Sequence, residues 1–238
     1  MHDPRRILNF PSLNNARDLG GYPTSDGATT RWRSVLRADD VVHLTPTGLQ
    51  ALLDFGLRTV IDLRWPEEVA AKPNPLTRPQ IHYRHISLLT HSQQNWGELS
   101  GPTTREEWNR LVLIHSRPHL KEVLQAIAAA PPGPLLFHCV AGKDRTGVIA
   151  ALLLALADVT PDAIAYDYGM SAECLRETYF IRHAQRDRAE TLEALRCPPE
   201  GAHNVLDYVA RQGGIRAFLQ QIGLSHEEIG RLRALLRD

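Results

Sequence analysis

Lysine is scarce in this chain. Lys72, Lys121 and Lys143 are the only lysines among 27 basic residues, and arginine supplies the other basic side chains. These charges balance 27 acidic residues, so the formal net charge is zero. A chain without a global basic field does not indicate a nucleic-acid partner, and we expect none.

Long hydrophobic runs are also missing. The longest apolar stretch, around residues 148–157, is too short to span a bilayer, so we expect no integral membrane segment. The amino-terminal residues 1–6 are not followed by an apolar stretch of signal-peptide length. We therefore expect a cytoplasmic protein, and non-classical secretion stays open.

Cysteine is too rare and too scattered to form a disulfide framework. The chain has three, Cys139, Cys174 and Cys197, and none of them lies in a Cys-x-x-Cys pair. Repeats, low-complexity segments and linker-like composition are missing as well. We expect a single domain over residues 1–238, and its size allows a substantial core.

Predicted strands and helices alternate through the first two thirds of the chain. The patterns indicate strands at 59–64, 81–86 and 133–137, and a short edge strand after a loop near residues 12–22. Capping and periodicity predict helices at 46–56 (capped by Thr45), 105–116 (Thr104 with Glu107), 118–130 and 147–156. Later helices are expected from Pro161, over 172–195, 203–212 and 215–222, and after Ser225. This order predicts an α/β fold: a central, mostly parallel sheet with helices on both faces and a helical carboxyl-terminal part.

The most informative stretch is residues 138–147, which read His-Cys-Val-Ala-Gly-Lys-Asp-Arg-Thr-Gly. Cys139 and Arg145 are separated by five residues, a spacing that closes a loop whose backbone N–H groups point at one bound phosphate. A predicted strand precedes the loop and a predicted helix follows it, so the positive end of a helix faces the anion. The stretch therefore predicts a phosphate-binding loop with a cysteine nucleophile.

The other loop positions have physical roles of their own. His138 is expected to hold the cysteine as thiolate, and Gly142 to allow a backbone conformation that a side chain resists. Thr146 is expected to donate its hydroxyl to the sulfur. Lys143 either faces solvent or contacts a second phosphate or an acidic substrate. A nucleotide-binding Walker loop is excluded, because Phe137 stands where that motif has glycine and Asp144 where it has Ser or Thr.

Such a loop indicates covalent phosphoryl transfer without a metal or cofactor. The thiolate of Cys139 attacks phosphorus and forms a phosphocysteine. Arg145 binds two phosphate oxygens through its planar fork, and the backbone donors, including those of Val140 and Ala141, stabilise the transferring phosphoryl group. We therefore expect a phosphate or similar anion in the loop, and no cofactor.

The general acid is harder to assign. The chain has no aspartate between Asp62 and Asp144, so an acid on a separate upstream loop is missing. Asp144 inside the loop is favoured. Asp62 and the glutamates Glu98, Glu106 and Glu107 stay open. Asp62 is expected rather to orient the loop together with Arg64, and a simple surface ion pair is the alternative for both.

The stretch resembles the HCxAGKDRTG loop of the bacterial protein-tyrosine phosphatase B family. Similar elements occur elsewhere: Asn-Ala-Arg-Asp at 15–18 resembles that family's N-x-R-D, Arg33-Ser34 its R-S, and Asp62-Leu63-Arg64 its D-L-R. Tyr-Asp-Tyr at 166–168 and the closing residues 214–236 are also similar in kind. The resemblance spans nearly the whole chain.

This resemblance implies the phosphatase α/β fold and substrates that include phosphotyrosine, phosphoserine or phosphothreonine in proteins, and phosphoinositides. It also implies that Asp144 replaces the usual acid. Relatives can carry a helical lid, for which residues 172–212 are the candidate, with Tyr179 and Phe180 as covering side chains. Core packing is the alternative for both aromatic residues.

Three other interpretations stay open. A sulfur-transfer or arsenate-reducing enzyme would use Cys174 or Cys197 as a resolving thiol, if either folds near Cys139. A non-enzymatic phosphate-binding module would be expected to lose the cysteine or the arginine, and both are present. A metal site is disfavoured, because His82 and His85 would point to opposite faces of a strand.

Overall fold

The computed structural model describes residues 3–89 and 104–237. Its centre is a five-stranded sheet formed by β1 (Arg17–Asp18), β2 (Val35–Ala38), β3 (Thr59–Asp62), β4 (His82–His85) and β5 (Leu135–His138). The strand order is β1-β2-β5-β3-β4, with β1 antiparallel to β2 and all other pairs parallel. The predicted mostly parallel sheet is therefore confirmed.

Ten α-helices occur in the described ranges. They are α1 (Pro46–Phe55), α2 (Pro66–Ala71), α3 (Arg105–His115), α4 (Arg117–Ala128), α5 (Asp144–Leu156), α6 (Pro161–Arg182), α7 (Arg188–Leu195), α8 (Glu200–Arg211), α9 (Ile215–Gln221) and α10 (His226–Leu236). Short 3-10 turns lie at Pro4–Arg6 and Val41–His43. None of these helices is both long and apolar enough to cross a membrane.

Helices cover both faces of the sheet, because alternate strand residues point to opposite sides. Leu36, Val60 and Leu136 pack in one cluster with Leu52 of α1. Ile61, which points to the other face of the sheet, packs with α4 and α5 in a larger cluster. Helix α5 is buried almost all round, as the unbroken apolar run from Val148 to Leu156 requires.

Local capping explains several element ends. Thr45 caps α1 through Gly48 N, and Gly56, in the left-handed conformation, ends it. The predicted capping box before α3 is present, and Ser225 with Glu228 forms another before α10. The strand predicted at 59–64 ends earlier, at Asp62, because the carboxylate of Asp62 accepts the N–H of Arg64 and turns the chain.

The helix predicted over 172–195 is wrong as one element. Helix α6 begins at Pro161 and ends at Arg182, and α7 begins only at Arg188. The side chain of Asp187 accepts hydrogen bonds from Ala189 N and Glu190 N and thereby starts a new helix. Helical periodicity continues across such a break, so the sequence pattern predicted one helix where the structure has two.

Candidate active site

The loop after β5 lies at the carboxyl edge of the sheet and leads directly into α5. His138, the last residue of β5, pairs with Asp62 at the end of β3, so both strand ends meet at this edge. Cys139 follows and is only 2% exposed. Ligands of open parallel sheets bind at this edge.

Three successive loop carbonyls are held from outside the loop. The carbonyls of Val140, Ala141 and Gly142 accept hydrogen bonds from Asp40 N (2.9 Å), Asn15 Nδ2 (3.0 Å) and Arg37 Nη2 (2.7 Å), respectively. The described chain contains no cis peptide bond, and in a planar trans peptide the next N–H points opposite to the carbonyl. The N–H groups of residues 141, 142 and 143 are therefore turned to the inner side of the loop.

A buried ion cluster fixes the arginine that holds the loop. Asp167 of α6 binds both Arg37 and Arg17, and the hydroxyl of Tyr22 donates to it at 2.9 Å. Burial alone would raise the pKa of Asp167, but the two guanidinium groups hold it below its usual range. Arg17 also binds the side chain of Asn15, so both side-chain donors to the loop carbonyls belong to one network.

Gly142 is required by its conformation and by its neighbours. Its φ of +63° lies in the left-handed region, and an added Cβ would lie 2.3 Å from the carbonyl oxygen of Ala38. Any side chain there would push the loop away from β2. The role expected of this glycine from the sequence is consistent with that geometry.

Arg145, in the first turn of α5, is paired with a residue that sequence reasoning missed. Its Nη1 donates to Glu68 Oε2 at 2.7 Å and its Nη2 to Glu68 Oε1 at 3.2 Å. The guanidinium also lies over the ring of Trp65, 4.7 Å from its centre. Burial lowers the pKa of Arg145, but the charges of Cys139 and Glu68 raise it overall.

The two aspartates differ sharply in their surroundings. Asp144 is 27% exposed at its side chain, accepts the hydroxyl of Tyr168 at 3.2 Å and lies 3.7 Å from the ammonium of Lys143. Asp62 is fully buried and accepts donors from Arg64, Asn74 and Tyr83. The carboxylate of Asp144 is thus accessible, and that of Asp62 is enclosed.

The enclosed carboxylate organises the floor of the site. Burial would raise the pKa of Asp62, but His138, Arg64 and Asn74 hold it well below its usual range. His138 has Nε2 2.9 Å from Asn74 Nδ2 and Nδ1 3.1 Å from its neighbour's carbonyl, Cys139 O. Arg64 also lies 3.4 Å from Asp40. Both Asp62 and Arg64 are buried, so the alternative of a surface ion pair is wrong.

Two further loop residues, Lys143 and Thr146, have surroundings that the sequence could not show. Lys143 is 1% exposed, and its ammonium donates to the carbonyls of Ala194 (2.7 Å) and Arg196 (3.3 Å) at the end of α7. The solvent-facing interpretation is therefore wrong. Its role as a substrate contact stays a prediction, although its donors are directed at the chain itself. The hydroxyl of Thr146 is buried and has no hydrogen-bond partner within the described part of the chain.

The remaining candidates are less central. Glu98 lies outside the described residues, and so does the side chain of Glu106. Glu107 is exposed and is used in the capping box of α3. Among the lid candidates, Tyr179 lines a cavity with Val140 and Ala141, whereas Phe180 stacks with Arg188. The lid itself stays a prediction.

The other cysteines and the histidines take different positions. Burial raises the pKa of Cys197 to about 11, and its Sγ lies 3.6 Å from the carbonyl of Leu195. Cys174 lies 3.8 Å from Arg17 Nη1. His82 is exposed, whereas His85 is half-buried against the carbonyl of Arg64, so the two rings do face different surroundings.

Sequence reasoning also missed Arg37 and Asn74. Nothing in the local pattern marks either residue, because each acts through a partner more than sixty positions away. Asn15 and Asp167 carried a signal only as parts of the short similar elements at 15–18 and 166–168.

Known proteins with similar sequences are phosphatases. A sequence model described as "Tyrosine phosphatase family" matches residues 8–238. The chain is 36% identical over 215 residues to a tyrosine-protein phosphatase of Nostoc commune, covering 84% of this chain and 73% of the relative. It is 28% identical over 276 aligned positions to the triple specificity protein phosphatase PtpB of Mycobacterium tuberculosis, covering 97% of this chain and 99% of the relative.

Proposed function

The chain belongs to the tyrosine phosphatase family and is a phosphatase, and we propose that it hydrolyses phosphomonoesters, phosphotyrosine first among them, through a phosphocysteine at Cys139. The observation that carries the proposal is the loop whose carbonyls are bound outward around a buried cysteine. A cradle of inward N–H groups above a sulfur suits a tetrahedral oxyanion.

In the first step, the thiolate of Cys139 attacks phosphorus and an S–P bond forms while the P–O bond to the leaving group breaks. Arg145 holds two phosphate oxygens, and the loop N–H groups stabilise the charge that spreads over the phosphoryl oxygens. The helix dipole of α5 acts in the same direction, because the loop enters its amino terminus.

Asp144 is the proton donor for the leaving oxygen in this proposal. It is accessible and lies at the loop, whereas Asp62 is enclosed by donors that keep it ionised. An ionised carboxylate has no proton to give. In the second step, Asp144 takes a proton from water as the water attacks phosphorus, the S–P bond breaks, and inorganic phosphate leaves.

Thr146 has a role that its burial favours. Its hydroxyl, without a partner in the described chain, is free to donate to the sulfur of Cys139 when the S–P bond breaks. His138 is held between Asn74 and the carbonyl of Cys139, so it fixes the backbone of the nucleophile and does not touch the reacting atoms.

We extend the proposed substrates to phosphoserine, phosphothreonine and phosphoinositides on two grounds. The loop resembles that of phosphatases with such a range, and the relative from M. tuberculosis is named a triple specificity phosphatase. A panel of phosphopeptides and phosphoinositides, compared by kcat/KM, tests this range.

The activity itself is tested by hydrolysis of an aryl phosphate in excess chelator, with wild type beside Cys139→Ser. Cys174→Ser is the matched control, because it removes another free thiol, which is half-buried. We expect wild type and Cys174→Ser to be active and Cys139→Ser to be inactive. Equal activity in all three proteins would contradict the proposal.

A further inference from the structure

A cavity of about 210 Å³ adjoins the catalytic loop. Val140 and Ala141 form one wall, and the second half of α6 forms another, with Leu175 and Tyr179. Val140 follows the nucleophile directly and is 36% exposed, so the cavity begins one residue from Cys139. A larger cavity, of about 430 Å³, lies around Trp32 and Pro132, next to residues at the opposite ends of the strands.

Basic side chains line the cavity beside the loop. Lys72 comes from the end of α2, His43 from a 3-10 turn, and Arg182 with His183 from the end of α6. Lys72 and Arg182 are exposed, and neither is paired with a carboxylate of the described chain. Basic residues from three separate elements therefore converge on one space.

The acidic residue of this cavity does not neutralise them. Asp40 lies 3.4 Å from Arg64 Nη1, and its side chain also accepts the N–H of Val42. Its charge is thus directed into the buried network beneath the loop. The cavity keeps an excess of positive charge from Lys72 and Arg182, and Leu175 and Val140 give it apolar wall as well.

We propose that this cavity binds an acidic side chain of the substrate, an Asp or Glu within two residues of the phosphorylated residue. This inference rests on the proposed function and deepens it. An acidic residue within two positions of the phosphorylated residue lies at most about 7 Å from it along an extended peptide, and the cavity opens beside the loop that would hold the phosphate.

The lining favours a carboxylate of a peptide over a second phosphate. Leu175 and Val140 offer apolar contact for side-chain methylenes, and Lys72 and Arg182 reach in on long flexible stems from the rim. A built phosphate site would be expected to show a rigid arginine fork or several converging N–H groups, as the catalytic loop does.

The test uses two phosphotyrosine peptides that differ only in the residues within two positions of the phosphotyrosine, Glu in one and Gln in the other. We expect wild type to favour the Glu peptide about tenfold in kcat/KM. Arg182→Ala and Lys72→Ala should each lower this ratio about threefold, and high salt should lower it in wild type as well.

Arg176→Ala is the matched control. It removes an exposed arginine of the same helix that does not line this cavity, and it should keep the wild-type ratio. A ratio near one in wild type, or a ratio that neither Arg182→Ala nor Lys72→Ala changes, overturns the inference. The inference also fails if these substitutions reduce turnover of a phosphoinositide with a second phosphate and leave the peptide ratio unchanged.

The same experiment separates this inference from the proposed function. If wild type hydrolyses an aryl phosphate but does not discriminate between the two peptides, the proposed function stands and the acidic subsite is wrong. Wild type that turns over neither an aryl phosphate nor either peptide contradicts both.

Discussion

Glu68 accepts hydrogen bonds from both terminal nitrogens of Arg145, at 2.7 and 3.2 Å, so its carboxylate lies end-on to the guanidinium. A guanidinium also binds oxyanions along its side edge, formed by Nε and one Nη. Because Glu68 occupies the end edge, the side edge is the one left to bind the phosphate. The stacked ring of Trp65 limits rotation of the same group.

Glu68→Gln should therefore lower kcat/KM for an aryl phosphate by about ten- to a hundredfold, because Arg145 is no longer held in the orientation that binds phosphate. The amide keeps an acceptor for Trp65 N, so α2 stays capped. The measurement is kcat and KM together with the inhibition constant of inorganic phosphate, which should rise. Glu67→Gln, one residue away on the same helix, is the control. Tighter phosphate binding by Glu68→Gln would mean that Glu68 competes with phosphate instead of positioning the arginine.

Asp144→Asn tests the proton donor. We expect a loss of about a hundred- to ten-thousandfold in kcat for phenyl phosphate, whose leaving group needs a proton, and a much smaller loss for an aryl phosphate with a strongly acidic phenol. Asp62→Asn should affect both substrates alike and lower the melting temperature, because it removes a charge from a buried network. An unchanged rate of Asp144→Asn with phenyl phosphate would rule out Asp144.

Asp167→Asn tests the buried cluster that holds the loop. At neutral pH it should lower the free energy of unfolding by about 3–5 kcal/mol, because Arg17 and Arg37 stay buried without their carboxylate. The folded-state pKa of Asp167 is depressed, so its contribution is present above about pH 4 and is lost as the pH falls through the folded-state pKa.

The difference between Asp167→Asn and wild type should therefore narrow in acid, as urea unfolding at several pH values would show. Asp158→Asn is the control, because Asp158 pairs with Arg233 and both side chains are partly exposed, 41% for Asp158 and 26% for Arg233. Breaking that pair should cost at most about 1 kcal/mol. Equal losses in the two variants would contradict the role given to the cluster.

Much of the fold and the centre of the site follow from sequence because their signals are local. The capping residues Thr45 and Ser225 mark helix starts that the structure keeps. Asp62 was expected to orient the loop after His138, and the structure brings the two together because the parallel strands β3 and β5 end at one edge. The loop is likewise one uninterrupted stretch of sequence.

What sequence reasoning missed depends on contacts between distant positions. Glu68 and Arg145 are 77 residues apart, and Lys143 reaches a carbonyl 51 residues further on. Such pairs are set by how helices pack, which periodicity does not encode. Lysine scarcity drew attention to Lys143 but could not show that its ammonium turns towards α7.

The measurement that tests the central claim most directly is mass spectrometry of the enzyme quenched during turnover of an aryl phosphate. We predict one phosphoryl group on the peptide that contains Cys139, with higher occupancy in Asp144→Asn, because the same carboxylate activates the water of the second step. Turnover in wild type with the phosphoryl group on another residue, or with Cys139 unmodified at every quench time in both proteins, would contradict the account.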